Sequence, residues 1–193
     1  MASNEQVEFY DKFIDYFEKN KDNDRNLSFR KWIMKWIGIE DAVLDFGCAT
    51  GYNSALFKNV VGVDISPKCV EKAKETYPQH EYYAGDITDG FEIPYDGFFK
   101  WIILSDVLEH VPEERRHKIF TEVAKKTKAG SVLIGSVPNY NFYEVYSPAS
   151  IQPVEECVEL PELLAEMAIA GFTDVISLFR HDVYYRFIIS RPH

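Results

Sequence analysis

Three carboxylates mark successive short apolar runs in the first half of the chain: Asp45 within Ala42 to Phe46, Asp64 after Val60 to Val63, and Asp86 just beyond Glu81 to Ala84. Between the first two lies Gly47-Cys48-Ala49-Thr50-Gly51, small residues that let backbone approach a ligand without interference from a Cβ. If that loop holds one end of a ligand, Asp64 stands where a ribose diol would lie and can accept both of its hydrogens. Asp86 can accept from an exocyclic adenine amine while the amide of Ile87 faces a ring nitrogen. Together these residues describe a clamp for an adenosine. Each alone has a plainer reading: a glycine-rich turn packs helix against strand in many α/β proteins, Asp64 could cap the helix after it, and Asp86 the turn after it. Cys48 reads simply as a small residue in a tight loop. Acids at three successive strand ends favour the joint reading, because ligands of such sheets bind where the strands end.

A second constellation follows the fourth apolar run, in Ser105-Asp106-Val107-Leu108-Glu109-His110-Val111-Pro112. The imidazole of His110 titrates near neutrality, so at a strand end it can serve as a general base, or it can be a hydrogen-bonded helix start. The segment Pro138-Asn139-Tyr140-Asn141-Phe142-Tyr143-Glu144-Val145-Tyr146 offers aromatics that could wall an apolar or planar acceptor, or pack among themselves as a lid. Tyr10 could cover the bound ligand or pack with Phe9, Phe13 and Phe17; the phenylalanines read as core.

The elements that must position these groups follow from periodicity. Val7, Tyr10, Phe13, Ile14 and Phe17 recur at helical spacing, ending in the polar run Lys19 to Asn26, and a second helix is predicted over Leu27 to Ile37. Ala42 to Phe46 reads as a buried strand, and Tyr52 to Phe57 as the start of the next helix. Val60 to Val63 is strand-like, Ser66 can cap a helix to about Thr76, and Glu81 to Ala84 is the third strand. Phe98 to Leu104 is the fourth, with a helix from about Pro112 to Lys126. Ser131 to Val137 is the fifth, and Leu160 to Ala170 a helix closed by Gly171. Thr173 to Phe179 and Val183 to Ser190 are so close in sequence that they must pair antiparallel. The pattern predicts one α/β domain: a doubly wound, mostly parallel seven-stranded sheet with an antiparallel C-terminal hairpin strand and helices on both faces. Its parts would be a helical cap at 1–38, a ligand-binding core at 42–137, a lid at 138–158, and a final helix and hairpin at 159–193.

The loop and strand-end residues resemble the class I S-adenosylmethionine-dependent methyltransferases, of the small-molecule, ubiquinone-biosynthesis-like type. That superfamily's Asp/Glu-x-Gly-x-Gly-x-Gly loop is matched by Asp45, Gly47, Ala49 and Gly51, with Ala49 the one departure. The resemblance covers roughly Ala42 to Val137. It implies that S-adenosyl-L-methionine is the cofactor, bound by Asp45, Gly47, Cys48, Ala49 and Gly51 of the loop, with Gly47 and Ala49 at its methionine part. It further implies Asp64 at the ribose, Ile65 on the adenine face, Asp86 and Ile87 at the adenine edge, and Ser105 at the ammonium. The run Ser105 to Pro112 extends the resemblance. A nicotinamide-binding fold would instead want Gly-x-Gly-x-x-Gly, which this loop lacks.

The 193 residues, 46% of them hydrophobic and 15% aromatic, suffice for one core. A net charge of -10 disfavours a nucleic-acid partner, and Arg25, Arg30, Lys31 and Lys35 read as a solvated helix face rather than a basic cleft. The amino-adenine methylase signature Asn/Asp-Pro-Pro-Tyr/Phe is absent after the fourth strand. No run approaches the roughly 18 uncharged apolar residues of a membrane span, and Glu5, Glu8 and Asp11 interrupt any apolar leader. Cys48, Cys69 and Cys157 fit no metal-ligand spacing, so no metal is expected and a reducing cytoplasm is the default. The expected partner is a small-molecule acceptor for a methyl group carried to oxygen or nitrogen, with the protein a monomer or homodimer; a protein or RNA acceptor, or donor binding without catalysis, are the alternatives.

Overall fold

In the computed structural model, which describes residues 4–145, 152–181 and 183–193, one sheet of seven strands organises the chain. In chain order the elements are α1 (Asn4–Asn20), α2 (Asp24–Ile33), β1 (Ala42–Phe46), β2 (Asn59–Asp64), α3 (Pro67–Thr76), β3 (Glu81–Ala84) and β4 (Phe99–Ser105). They continue with α4 (Glu113–Lys126), β5 (Thr127–Pro138), α5 (Tyr140–Val145), α6 (Leu160–Ile169), β6 (Asp174–His181) and β7 (Tyr184–Ser190). The strand order is β3-β2-β1-β4-β5-β7-β6, with β7 antiparallel to both its neighbours.

Alternation along the buried strands divides the core in two. Leu44, Phe46, Val61, Ile102 and Leu104 face Ile119, Phe120 and Val123 of α4 and Leu163 and Met167 of α6. On the other face Val43, Trp101, Ile103 and Ile134 pack against Phe29, Trp32 and Ile33 of α2. α3 completes that face, setting Val70 and Ala73 on Tyr82 and Cys48. Its start is fixed by Ser66, whose hydroxyl accepts from the Cys69 amide at 3.1 Å.

Register then aligns the strand ends into one rim. Phe46 pairs with Val63 and with Leu104, Asp64 with Ala84, and Ser105 with Ser136. The order reverses between β1 and β4, so the loops leaving them diverge and open a crevice there.

The helix expected from Tyr52 to Phe57 is a single 3-10 turn, Ser54–Leu56. Residues 47–58 are all that separate β1 from β2, and the loop consumes half of them before a crossover helix could form. The face such a helix would cover is taken by α2. That helix starts within the expected polar linker, because Asn23 caps it by accepting from the Asn26 amide at 2.9 Å, and it ends at Ile33 rather than Ile37. β5 begins at Thr127, before the expected Ser131, and its register against β4 shifts between the Phe99–Thr127 and Trp101–Val132 pairs.

The β1 loop requires positive φ at Gly47, Ala49 and Gly51. A Cβ at Gly47 would meet Val107 at 2.5 Å, and one at Gly51 would meet the Tyr82 hydroxyl at 2.5 Å, so glycine is needed at both for packing as well as conformation. Ala49, at φ 46°, occupies the left-handed region at a steric cost of about 1–2 kcal/mol. Its Ala49→Gly variant should be more stable by about 1 kcal/mol, raising the melting temperature by about 2–4 °C in a thermal scan. An unchanged or lowered midpoint would show that the loop relaxes around the methyl group.

Candidate active site

A cavity of about 360 Å³ opens along the rim, within the range of small-molecule sites. From the β1 loop it is lined by Gly47, Cys48 and Ala49, and from the ends of β2 and β3 by Asp64, Ile65, Asp86 and Ile87. Ser105 and His110 line it beyond β4, and Tyr10 covers it from α1. Two residues of the sequence motif stand apart. Gly51 turns behind the loop against Tyr82, and Asp45 lies beneath the loop, 3% exposed.

The strand-end acids have structural duties as well. Asp64 accepts from the Ala49 amide at 2.8 Å through one oxygen and from the Ser66 amide at 2.9 Å through the other. Burial raises its pKa, and those amides only partly offset the effect. Asp86 caps the 3-10 turn Ile87–Asp89, accepting from the Thr88 amide at 2.9 Å, and receives Arg115 of α4 at 3.0 Å. A carboxylate has about four lone-pair directions, so both acids can bind these partners and still accept from a ligand.

The roof differs from the sequence reading. Phe13 and Phe17, expected in the core, line the cavity together with Ile14 and Tyr16, so the apolar face of α1 covers a space rather than the sheet. α1 is tied down by polar contacts: Gln6 donates to the His110 carbonyl at 3.1 Å, Ser66 to Asp11 at 2.6 Å and Thr50 to Glu18 at 2.8 Å. Tyr10 donates to Gln152 at 2.8 Å, and burial pushes its phenol well up. Of the aromatics after β5, Phe142 lines the cavity, Tyr143 turns its hydroxyl to the Glu156 carbonyl, and Tyr140 is exposed. Tyr146 lies outside the described residues.

Residues that sequence reasoning placed elsewhere complete the site. Arg25, taken as part of a solvated face, is ion-paired with Asp106 and stacks over the Tyr184 ring at 3.7 Å; all three line the cavity. Arg30 turns to the Tyr52 ring instead, while Lys31 and Lys35 are exposed, so the four cations form no common patch. Asp106 holds a positive φ of 55° and accepts from Ser136 at 3.1 Å. Such non-glycine strain concentrates at functional sites. Glu109 is 1% exposed and one of its oxygens has no hydrogen-bond partner among the described residues. Burial raises its pKa. For His110, burial opposes the charged form but the Glu109 and Glu155 carboxylates outweigh it, raising its pKa. Glu109 was legible only as the neighbour of His110, whereas nothing local in sequence marks Asp106 as the partner of Arg25. The Cys48 thiol is pushed well up by burial, so it is no nucleophile at neutral pH.

The buried Asp45 generates a pH signature. Burial raises its pKa from 3.8 to about 7, and one of its oxygens has no hydrogen-bond partner among the described residues. Between those values the folded state holds a proton that the unfolded state releases, so this residue's contribution to stability falls as pH rises, by about 1.4 kcal/mol per unit. Asp45→Asn carries no charge to bury. Its stability relative to the parent, measured by urea unfolding, should grow from about pH 4 to pH 7 and then level off. A pH-independent difference would show that Asp45 folds ionised.

Comparison with known proteins fits this geometry. Residues 44–135 match the methyltransferase domain family. A magnesium-protoporphyrin O-methyltransferase from Rhodobacter capsulatus is 29% identical over 99 residues, a match spanning 47% of this chain and 42% of that enzyme's length. Among solved structures, a methyltransferase from Thermotoga maritima, described as a possible histamine N-methyltransferase, superposes with a TM-score of 0.78 at 17% identity, covering 96% of this chain and 99% of that one. A DhpI complex described as containing SAM and HEP gives 0.74 at 16% identity over the whole of both chains. A Haloferax volcanii methyltransferase in complex with the Trm112 activator gives 0.72 at 16% identity, covering 95% and 98%. The domain match from β1 into β5 marks a methyltransferase domain, and the superpositions over nearly whole chains give this protein the fold of S-adenosylmethionine-dependent methyltransferases.

Proposed function

We propose that the protein transfers a methyl group from S-adenosylmethionine to an oxygen or nitrogen of a small molecule. The observation that carries this reading is the single cavity in which the β1 loop, the carboxylates after β2 and β3, and His110 meet under an aromatic roof. Its chemistry suits this donor. S-adenosylmethionine carries a positively charged sulfur and an ammonium, and the cavity sets Asp64, Asp86, Asp106 and Glu109 against Arg25 and His110. The unpartnered oxygen of buried Glu109 is an acceptor that a cationic or hydrogen-donating group can satisfy.

Within that frame the residues divide the work. The β1 loop, with Gly47 and Ala49, holds the methionine part of the donor; Asp64 and Ile65 hold the ribose and adenine face; Asp86 and Ile87 hold the adenine edge; and Ser105 holds the ammonium. Tyr10, Phe13 and Phe17 exclude water, and Phe142 and Tyr184 offer the acceptor a flat apolar wall. Bound donor supplies an electrophilic methyl carbon, so the protein's task is chiefly alignment and proton removal. His110 takes the acceptor's proton.

Calorimetric titration tests the reading: S-adenosylmethionine and S-adenosylhomocysteine should bind saturably and NAD should not. At a hundredfold excess over Kd either ligand should raise unfolding stability by about 2.7 kcal/mol. Failure of both sulfur compounds to bind would reject the assignment. Asp64→Ala strands the Ala49 and Ser66 amides, costing about 1–3 kcal/mol of stability, and should weaken donor binding at least tenfold. Folded variant with undiminished affinity would remove Asp64 from the ribose site. In a screen of phenols, hydroxy acids and amines, His110→Ala should lower the rate about a hundredfold or more while leaving donor affinity intact. An undiminished rate would exclude His110 as the base.

A further inference from the structure

Residues 152–159 carry no regular structure, yet Gln152 and Glu155 line the cavity and the segment is held at several points. The Glu156 amide donates to the Glu109 carbonyl at 2.8 Å, and its carboxylate accepts from buried Arg116 at 3.0 Å and from the Glu113 amide at 2.9 Å. The Tyr143 hydroxyl donates to the Glu156 carbonyl at 2.9 Å, and Gln152 accepts from Tyr10. These bonds fix the residue before Glu156. Glu155, its side chain only 6% exposed, places one oxygen 3.2 Å from Nδ1 of His110 and the other 3.3 Å from the Tyr143 hydroxyl. The Val154 carbonyl stands 3.3 Å from the same ring nitrogen.

Resting on the methyl-transfer reading above, we propose that Glu155 is a positioning residue: it holds the Nδ1–H of His110, so that Nε2 is the nitrogen left to take the acceptor's proton. With Nδ1 donating to a carboxylate and a carbonyl, the neutral ring must carry its free lone pair on Nε2. The acceptor's O–H or N–H bond then breaks toward Nε2 as its electron pair bonds the methyl carbon, and the carbon–sulfur pair stays on sulfur. The imidazolium that results lies between two carboxylates, Glu155 at Nδ1 and Glu109 with an oxygen 3.8 Å from Nε2. The other charged or titratable groups near it are Tyr10 on α1, Tyr143 on α5 and the Arg25–Asp106 pair across the cavity. Burial opposes protonation of the ring, and the two carboxylates overcome it. A carboxylate serving only to hold the segment in place would leave the proton affinity of the imidazole unchanged.

The test is a nitrogen-15 magnetic resonance titration of histidine-labelled full-length protein, with the His110 signal identified by its loss in His110→Gln. S-adenosylhomocysteine affinity is measured on the same samples. Glu155→Gln keeps the shape and removes the charge; the His110 midpoint should fall by about one pH unit, a tenfold loss of proton affinity, with S-adenosylhomocysteine binding changed less than twofold. Glu155→Asp should recover most of the shift, and Glu71→Gln, on the exposed side of α3, should produce none. A midpoint unmoved in Glu155→Gln, or moved equally by Glu71→Gln, overturns the proposal while the donor-binding reading stands. If Glu155→Gln fails to fold, the nitrogen-15 shifts of neutral His110 in the parent decide: a protonated Nδ1 with a bare Nε2 supports the proposal, and the opposite tautomer overturns it. If the parent protein does not bind S-adenosylhomocysteine at all, the methyl-transfer reading falls first, and this role of Glu155 falls with it.

Discussion

Everything at the candidate site depends on how the β1 loop is tied to the end of β2. The amides of Gly47 and Cys48 both donate to the Val63 carbonyl, at 2.8 and 3.1 Å, and the Ala49 amide donates to Asp64. Three successive donors are thereby spent on one neighbouring strand end. This holds the loop in left-handed backbone, with Ala49 in a conformation that alanine resists when unsupported. A charged acceptor makes the stronger kind of bond and offsets that strain. The same carboxylate therefore shapes the loop and faces the cavity, so the structural duty of Asp64 and its place in the cavity lining belong to one arrangement.

The charge of the cavity follows from topology. Parallel strands in register deliver their last residues to one rim, and at that rim three consecutive strands present Asp64, Asp86 and Asp106. Concentrated carboxylates repel one another and lose hydration, at a cost that partners or a cationic ligand must offset. Arg115 answers Asp86 and Arg25 answers Asp106, each from a helix that reaches over the edge. Glu109 keeps an unanswered oxygen. The unmet hydrogen-bonding capacity is therefore concentrated beside His110, where methyl transfer would unite a cationic donor with an acceptor losing a proton.

Sequence made the sheet legible because its information there is local. Apolar runs bounded by glycine, and Ser66 three residues before Cys69, announced β1 to β5 and the start of α3 within a few residues. Strand-end position also gave Asp64, Asp86 and His110, which the fold gathers around one cavity. Failures came where a residue's partner is distant or its environment is not the core. Tyr52 to Phe57 has helical composition, but β2 begins too soon, and only tertiary structure reveals that α2 covers the vacancy. Phe13 and Phe17 have core composition on an amphipathic face that covers a cavity instead. Arg25 and Glu155 escaped because their partners Asp106 and His110 lie far along the chain, and neither periodicity nor capping encodes such a pairing.

α1 is attached in a different way from the helices that cover the sheet. A helix packed on the sheet is held by several buried side chains, each worth about 1.5–3 kcal/mol, and could not move without unfolding the core. In α1 the one buried side chain is the polar Gln6, and its neighbours are reached through single hydrogen bonds to Thr50, Ser66, His110 and Gln152. Such bonds are each worth about 0.5–1.5 kcal/mol net and can be exchanged for water one at a time. The attachment of α1 is thus separate from both core faces, which are held by α2, α3, α4 and α6. A molecule filling the cavity would lie against the apolar face of α1, adding hydrophobic contact to the polar ties. The Tyr10–Gln152 bond ties α1 to the segment carrying Glu155, so the roof and the contact between Glu155 and His110 are joined through one helix.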